Sequence, residues 1–370
     1  MTATQTITAQ PKVSIIVPAR NEEASLGACL ESLTAQSGVP FEIIVVDDHS
    51  TDRTREIAAS FASVQVLEAP TLPAGWTGKN NAVAAGAREA RGEWLLFTDA
   101  DTVHLPGSLA GALAEAEQNG VELLSYSPEQ IAVTFWEMAT LPVVFAELAR
   151  QYPPSKVSDP ASPIAAANGQ FILIRRETYG AVGGHAAMAG SILEDVALAR
   201  AVKSSGRKLR FRYAADRVRT RMYRNFCQLR EGWTKNLALL FPNPGWLAVK
   251  SLLLWGVGWG PFLSTMAIPI AAGLTGHIGS LSSMHKVLST LAGVVRQWWW
   301  SPIGVAGLFS VGARLKRANF TWDMEILGGL FGMPMFAYLL LRSKNAHANR
   351  SVPWKGRTYG PAPTTAGRLS

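Results

Sequence analysis

Short apolar segments that end in polar and acidic residues dominate the first hundred positions of this 370-residue chain. Val13–Pro18, Phe41–Val46 and Trp94–Thr98 are almost entirely apolar, and segments with helical spacing of apolar residues separate them. Strands that are apolar throughout are typical of parallel sheets buried on both faces. The sequence therefore predicts a doubly wound, mostly parallel α/β sheet, whose ligands bind at the carboxyl ends of the strands.

Polar side chains follow the predicted strands at that edge. They are Asn21, Glu22, Asp47, Asp48, Asp99 and Asp101. Asp99 and Asp101 are two residues apart, so an extended backbone places both carboxylates on the same side of the chain. Such a pair suits Mg²⁺ or Mn²⁺, which takes one or two carboxylates together with substrate phosphates. For an isolated Asp-x-Asp, a solvated turn is the alternative.

The pair Asp47 and Asp48 comes directly before Ser50, Thr51 and Asp52, which can cap the next helix. Capping explains those three residues, but it does not explain two acids at the end of an apolar strand. Carboxylates at this edge can accept hydrogen bonds from a ribose hydroxyl or a base N–H.

A third acidic pair, Glu194 and Asp195, begins a helix predicted over Glu194–Lys203, after a strand predicted over Ala167–Ile174. Acids in a first helical turn interact favourably with the helix dipole and need no other role. Alternatively, one of the two carboxylates is a general base that takes a proton from an acceptor hydroxyl. The pair alone is compatible with both interpretations.

The last third of the chain differs in composition. Ser251–Gly276 has no formally charged residue over 26 positions, and a bilayer crossing needs about 20. Residues 241–370 hold 12 of the 35 Lys and Arg residues but only 2 of the 27 Asp and Glu residues. Basic residues beside apolar runs favour an anionic membrane, rather than nucleic acid, as the partner.

These patterns predict four regions. Residues 1–11 are expected to be disordered, and residues 12–240 to form the α/β domain. Residues 246–342 are expected to be a membrane region with spans near 251–275, 290–313 and 326–341, followed by a basic cytoplasmic tail over 343–370. The two cysteines form no Cys-x-x-Cys motif, and the polar start of the chain does not look like a signal peptide, which fits a cytoplasmic domain.

The acidic motifs, in their order and spacing, resemble those of family 2 glycosyltransferases with the GT-A fold. The resemblance covers about residues 12–240. The segments Gly75–Asn80 and Val352–Tyr359, together with the membrane region, are similar to a subgroup associated with hopanoid and carotenoid glycosylation, the diaponeurosporenoate type among them.

This resemblance implies roles for individual residues. It implies that the nucleotide-sugar donor is bound by Pro18, Ala19, Glu22, Asp47, Asp48, Lys79 and Asp99. It implies Asp101 and Asp99 as metal ligands, and Asp195 beside Glu194 as the catalytic base. For the acceptor side we expect Asn168, Gly169, Gly184 and Trp233. Lys79 could equally be a solvated lysine near a helix start.

The function implied is an inverting transfer of one sugar from a nucleotide-sugar, most commonly UDP-linked, to a hydroxyl or carboxyl of a carotenoid-, hopanoid- or polyprenyl-type lipid. The Gln-x-x-Arg-Trp signature of processive members is absent, since Gln228–Trp233 has a different spacing. His49 stands where Gly is common in the wider family. The expected location is the inner membrane, with several spans and the catalytic domain in the cytoplasm.

Two other functions are compatible with parts of the pattern. A nucleotidyltransferase can share the fold and the Asp-x-Asp, but it usually has a basic, Gly-rich loop after the first strand, where this chain has Ala19–Glu23. A membrane-anchored nucleotide-binding protein without turnover would keep Asp47 and Asp48, yet it would not need Asp195 beside the acceptor loop.

Overall fold

The computed structural model describes residues 10–274, 289, 293, 302–316, 320–349 and 352–359. These residues divide into two compact units. The first unit comprises 10–131, 152–222 and 352–359, and the second comprises 132–151 and the described residues between 223 and 349.

Twelve strands are found in the described residues, all in the first unit. They are β1 (Val13–Ala19), β2 (Phe41–Asp47), β3 (Val64–Glu68), β4 (Trp94–Phe97), β5 (Thr102–His104), β6 (Leu123–Ser127), β7 (Glu129–Gln130), β8 (Ile172–Arg175), β9 (Leu209–Tyr213), β10 (Val218–Thr220), β11 (Val352–Trp354) and β12 (Arg357–Tyr359). The main sheet has the order β3-β2-β1-β4-β8-β6-β9, and β5-β10-β7 and β11-β12 form two small sheets. In the main sheet only β8 runs antiparallel to its neighbours, β4 and β6.

The helices flank this sheet or build the second unit. Those of the first unit are α1 (Leu26–Thr34), α2 (Thr54–Ala59), α3 (Gly78–Glu89), α4 (Ser108–Gln118), α6 (Pro154–Ser158), α7 (Arg176–Ala181) and α8 (Glu194–Ser204). Those of the second are α5 (Phe135–Gln151), α9 (Phe226–Leu240), α10 (Pro244–Leu274), α11 (Pro302–Leu315), α12 (Trp322–Leu327) and α13 (Met333–Ala348).

The parallel strands are buried on both faces, as their continuous apolar runs predict. Ile15 of β1 packs in one core with residues of α1 and α4, whereas its neighbour Ile16 packs in a second core with residues of α3 and α8. Successive side chains of a strand point to opposite faces, so one strand serves both cores. The first unit is therefore a three-layer α/β arrangement.

The predicted strands at 13–18, 41–46 and 94–98 are confirmed as β1, β2 and β4, and the helix predicted over 194–203 is α8. The strand predicted over Ala167–Ile174 starts only at Ile172. The reason is a turn: the N–H of Gln170 donates to Asn168 Oδ1 (3.0 Å) and the N–H of Phe171 to the Asn168 carbonyl (3.0 Å), which competes with a strand ladder.

Among the described residues, the second unit contains one helix that is long and apolar enough to cross a membrane. This helix is Trp322–Ala348, and the mean hydropathy of its best window is 1.6. It runs through α12, a short π-helical turn and α13. Phe226–Leu240 and Pro244–Trp259 pass the same criterion only as a pair, and that pair is bent by 110°. The predicted span near 326–341 lies within Trp322–Ala348.

The other two predicted spans have less support. The span near 251–275 lies along α10, of which the segment Pro244–Trp259 qualifies only in the bent pair with Phe226–Leu240. The span near 290–313 lies partly outside the described residues, and within them Ala306–Leu315 is a shorter apolar helix. A multi-pass arrangement is therefore not supported by the part of the chain that the structure describes.

The division into units also differs from the predicted boundaries. The helices α5 and α9 fall inside the predicted 12–240 domain, but they belong to the second unit. Glu147 of α5 forms an ion pair with Arg314 of α11, and the N–H of Ala238 donates to Ser343 Oγ (2.8 Å) in α13. Conversely, 352–359 of the predicted basic tail belongs to the first unit, because it is a hairpin paired with charged residues there.

The ion pair of Glu147 gives a stability prediction. The Glu147 side chain is 1% exposed and also pairs with Arg150 at 3.0 Å. Removing one partner of a buried ion pair leaves the other charge uncompensated, which costs about 3–5 kcal/mol. Glu147→Ala should therefore lower the thermal unfolding temperature in detergent by many degrees, whereas Glu56→Ala, in an exposed pair with Arg53, should change it little. Equal shifts in the two variants would contradict this assignment.

Candidate active site

The structure places the acidic residues of the predicted site in one network at the carboxyl ends of β1, β2 and β4 and the start of α8. Three cationic side chains, Lys79, Lys355 and Arg357, pair with four of these acids. Of those cations, only Lys79 was predicted from the sequence as a site residue.

Lys79, in the first turn of α3, joins two carboxylates that are far apart in the chain. Its Nζ lies 2.7 Å from Asp99 Oδ1 and 2.7 Å from Glu194 Oε1. Burial opposes the charged amine, but the two carboxylates outweigh burial and raise the pKa of Lys79 well above its ordinary value. Lys79 is thus a partly buried cation paired with two carboxylates rather than an isolated, solvated lysine.

The segment that carries Lys79 also anchors the approach to α8. Thr77 Oγ1 caps α3 by accepting from the N–H of Asn80 (3.2 Å), and the Thr77 N–H donates to the carbonyl of Ala189 (2.9 Å). Asn80 is fully buried, and its Nδ2 donates to the carbonyls of Met188, Ala189 and Ser191 at 2.9–3.0 Å. Asn80 is therefore a positioning residue for the loop before Glu194, which the sequence analysis did not identify.

Asp195 is held by two backbone amides. The N–H of Val196 donates to Oδ1 (2.7 Å) and the N–H of Gly169 donates to Oδ2 (3.1 Å). Burial, reinforced by the neighbouring charge of Glu194 and opposed by Lys79, raises the pKa of Asp195 to about 6. A Cβ at Gly169 would lie 3.0 Å from Lys79 Nζ, so the close approach of this loop favours glycine.

Asp101 lies where negative charge accumulates. Burial and the carboxylates of Asp99 and Glu22 raise the pKa of Asp101 to about 7, although Lys355 and Lys79 oppose that shift. Hard divalent cations prefer oxygen ligands, and several negatively charged carboxylates close together suit such an ion. In the described residues no three His, Cys, Asp or Glu side chains form a group that could hold a metal ion by themselves.

The acids after β1 and β2 have partners at this edge. Asp47, which is 3% exposed, accepts a hydrogen bond from the N–H of Ser50 (3.2 Å). Asp48 accepts from both guanidinium nitrogens of Arg357, with 3.0 Å between Nη2 and Oδ1. Glu22 pairs with Lys355. The N–H of Asp48 donates to the carbonyl of Ala19 (2.8 Å), which fixes the ends of the two strands together.

His49 and Gly78 show how tightly this edge is built. His49 has φ of 54°, in the left-handed region that favours glycine, which explains why Gly suits this position. A Cβ at Gly78 would overlap the Arg357 guanidinium and the Asp48 carboxylate. Any larger residue at this position would force the Arg357–Asp48 ion pair to shift.

The residues expected on the acceptor side are not all in this network. Gly169 contacts Asp195, whereas Asn168 forms the turn described above and Gly184, with φ of 53°, begins a one-turn helix after α7. Trp233 lies in α9 of the second unit, 3% exposed and packed edge to face against neighbouring aromatic rings. Pro18 lies in β1, paired with Val46. The acceptor roles of Asn168, Gly169, Gly184 and Trp233 remain predictions.

A model of glycosyl transferase family 2 matches residues 14–182. The 4,4'-diaponeurosporenoate glycosyltransferases of Staphylococcus aureus strains USA300 and NCTC 8325 are each 31% identical over 249 residues, covering 66% of this chain and 66% of each relative. The chain belongs to glycosyl transferase family 2, and the match spans about two thirds of those relatives.

Solved structures also resemble this chain. A mannosyltransferase, PcManGT from Pyrobaculum calidifontis in complex with GDP-Man and Mn²⁺, has a TM-score of 0.47 and 20% identity, covering 85% of this chain and 88% of that one. TarS 1–349 of S. aureus in complex with UDP-GlcNAc has a TM-score of 0.42 and 16% identity, covering 94% and 95%. With family membership and the mostly parallel sheet, the predicted GT-A class is confirmed for the α/β domain.

The anchoring role of Asn80 is testable by thermal or denaturant unfolding. Asn80→Ala removes three hydrogen bonds from a buried side-chain amide to the carbonyls of Met188, Ala189 and Ser191 before α8, which should cost about 1–3 kcal/mol. Asn119→Ala removes a similar amide from the exposed end of α4, where Nδ2 donates to the Glu115 carbonyl (2.7 Å), so its effect should be clearly smaller. A loss at Asn80 no larger than at Asn119 would contradict this role.

Proposed function

We propose that the chain transfers one sugar from a nucleotide-sugar to a hydroxyl or carboxyl group of a lipid, with inversion at the anomeric carbon. The observation that carries the proposal is the network in which Lys79 bridges Asp99 and Glu194, next to Asp101 and Asp195. It joins acids from the end of β4 to acids from the start of α8. A place for donor phosphates and a proton acceptor therefore share one network.

Asp101 and Asp99 are the residues that would hold a divalent ion, Mg²⁺ or Mn²⁺. When bound, such an ion neutralises charge that develops on the leaving nucleoside diphosphate. The raised pKa of Asp101, about 7, supports this assignment, because surplus negative charge there favours a cation. Lys79 keeps Asp99 in place from the other side.

Asp195 is the residue that would accept the proton of an acceptor hydroxyl. Its two backbone N–H donors hold both oxygens, and a pKa of about 6 leaves the carboxylate ionised at neutral pH while keeping it a useful base. A single displacement assisted by one base inverts the anomeric configuration. An acceptor that is itself a carboxylate would not need this proton transfer.

The lipid acceptor is supported by the names of the relatives, which give 4,4'-diaponeurosporenoate as what they glycosylate. It is supported also by the candidate membrane helix Trp322–Ala348 and by the basic composition after residue 240. An inner-membrane location with the α/β domain in the cytoplasm, and UDP as the first donor nucleotide to test, belong to the same proposal.

The base assignment predicts the behaviour of Asp195→Asn. An amide keeps the shape but cannot take a proton, so transfer to a hydroxyl acceptor should fall about 10²–10⁴-fold while the Kd of the donor stays unchanged. Asp216→Asn, at an exposed site in the same unit, should transfer sugar at the wild-type rate. Full activity of Asp195→Asn with a hydroxyl acceptor would remove Asp195 from the chemical step.

The pKa of Asp195 also predicts the pH profile. The carboxylate must be ionised to act, so kcat/KM should fall as the pH drops through about 6. Glu194 raises that pKa by its charge, and Glu194→Gln should therefore move the acidic limb to lower pH. Glu177→Gln, an exposed change in α7, should leave the limb in place. An unmoved limb in Glu194→Gln would mean that another group titrates.

The product released separates this proposal from its alternatives. A glycosyltransferase releases a nucleoside diphosphate, a nucleotidyltransferase releases pyrophosphate, and a non-catalytic binding protein releases neither. Measuring the nucleoside diphosphate from labelled nucleotide-sugar, with and without a lipid extract, and the pyrophosphate from a nucleoside triphosphate supplied with a sugar phosphate distinguishes the three.

A further inference from the structure

The segment Val352–Tyr359, which we call the C-terminal hairpin, lies at the carboxyl ends of β1 and β2. Its strands β11 and β12 are antiparallel, with Trp354 paired to Arg357. The two residues between them, Lys355 and Gly356, have φ of 44° and 75°. Positive φ at both central residues is typical of a type I′ turn, the tight turn of two-residue hairpins. The turn therefore holds Lys355 at the tip.

The tip is joined to the residues that follow β1. Lys355 Nζ pairs with Glu22 and donates to the carbonyl of Arg20 (3.0 Å), while Arg20 Nε donates to the carbonyl of Lys355 (3.3 Å). The Lys355 and Glu22 side chains are 27% and 22% exposed, so this ion pair is partly removed from water. These reciprocal contacts fix the position of the hairpin tip.

The second strand of the hairpin is joined to the residue that follows β2. Arg357 binds both carboxylate oxygens of Asp48, whose side chain is 6% exposed. Arg20 adds a hydrogen bond from Nη1 to the Asp48 carbonyl. A two-pronged guanidinium–carboxylate pair of this kind fixes the orientation of the acid as well as its charge. Arg357 therefore fixes the orientation of the Asp48 carboxylate.

Lys355 pairs with Glu22, one of the acids that follow β1 at this edge of the sheet. Lys79 already joins Asp99 and Glu194. A diphosphate entering among these acids brings further negative charge, and a second fixed cation beside them would lower the electrostatic cost.

Backbone strain is concentrated at the same place. Among the described residues, the non-glycine residues with positive φ are Asn21, His49 and Lys355. Asn21 follows β1, His49 follows β2, and Lys355 is the hairpin tip that contacts the chain between them. Unfavourable backbone conformations of this kind tend to gather at ligand-binding sites, where surrounding contacts maintain them.

We propose that the C-terminal hairpin is part of the donor site, in which Lys355 binds the donor phosphates and Arg357 positions Asp48 for the nucleoside. The inference rests on the proposed function, because it assumes a nucleotide-sugar at this edge. On donor binding, Lys355 exchanges Glu22 for a phosphate oxygen, while Arg357 keeps its carboxylate partner.

Binding measurements on the full-length protein in detergent, with Mn²⁺ present, test the inference. The probes are UDP and GDP, each compared with its nucleoside. Lys355→Ala should weaken binding of the preferred diphosphate about tenfold or more, as expected for a lost charged hydrogen bond, and leave nucleoside binding unchanged. Arg357→Ala should weaken both ligands by the same factor. Lys355→Arg should restore most of the affinity, and Lys12→Ala, at a surface pair with Glu93, is the matched control.

The outcomes separate the two levels of the proposal. Wild-type protein that binds neither UDP nor GDP would overturn the proposed function and this inference with it. Wild-type binding together with an unchanged or tighter Kd in Lys355→Ala would overturn the inference alone, because the hairpin would then be neutral or would obstruct the site. If Lys355→Ala also lowers the unfolding temperature, the diphosphate Kd values of Lys355→Gln and Lys355→Arg are compared instead. Weaker binding in Lys355→Gln than in Lys355→Arg supports the inference, and equal binding overturns it.

Discussion

One internal ammonium group organises the acidic edge of this sheet. Carboxylates from the end of β4 and the start of α8 would repel each other if they were brought together without a cation. Lys79 lies between Asp99 and Glu194 at 2.7 Å from each, and it is fixed because α3 packs against β1 and β2. The arrangement of the acids in this region therefore depends on a lysine that α3 supplies.

The acids around Lys79 fall into two groups. Glu22, Asp48, Asp99 and Glu194 have cationic partners within the first unit. Asp101 and Asp195 are the two whose pKa values are raised, to about 7 and about 6. A raised pKa shows that the surroundings disfavour the ionised form of an acid. Such acids are common in binding and catalytic sites, whereas structural ion pairs favour the ionised form. The two acids with raised pKa values are thus the ones proposed to hold the metal ion together with Asp99 and to accept the proton of the acceptor.

Most of the α/β framework could be predicted from the sequence, because apolar strands followed by acids are a local pattern. The roles of Lys355 and Arg357 could not, since more than 300 positions separate them from Glu22 and Asp48 and basic residues after an apolar run equally suit a membrane surface. Asn80 was missed because three hydrogen bonds to backbone carbonyls leave no trace in local composition. Likewise, the apolar pattern of α5 is compatible with a core helix or with a helix on a membrane surface, and it does not indicate the unit to which the helix belongs.

The two lysines of the site differ in how freely they can change partners. Glu22 accepts a hydrogen bond from Ser25 Oγ (2.8 Å) in addition to its pair with Lys355, so it would keep a donor if Lys355 turned to a phosphate. Lys79 holds two carboxylates at once, and its departure would leave Asp99 and Glu194 facing each other without the charge between them. The ion pairs alone therefore suggest that Lys79 maintains the site, while Lys355 is the cation able to follow an arriving anion.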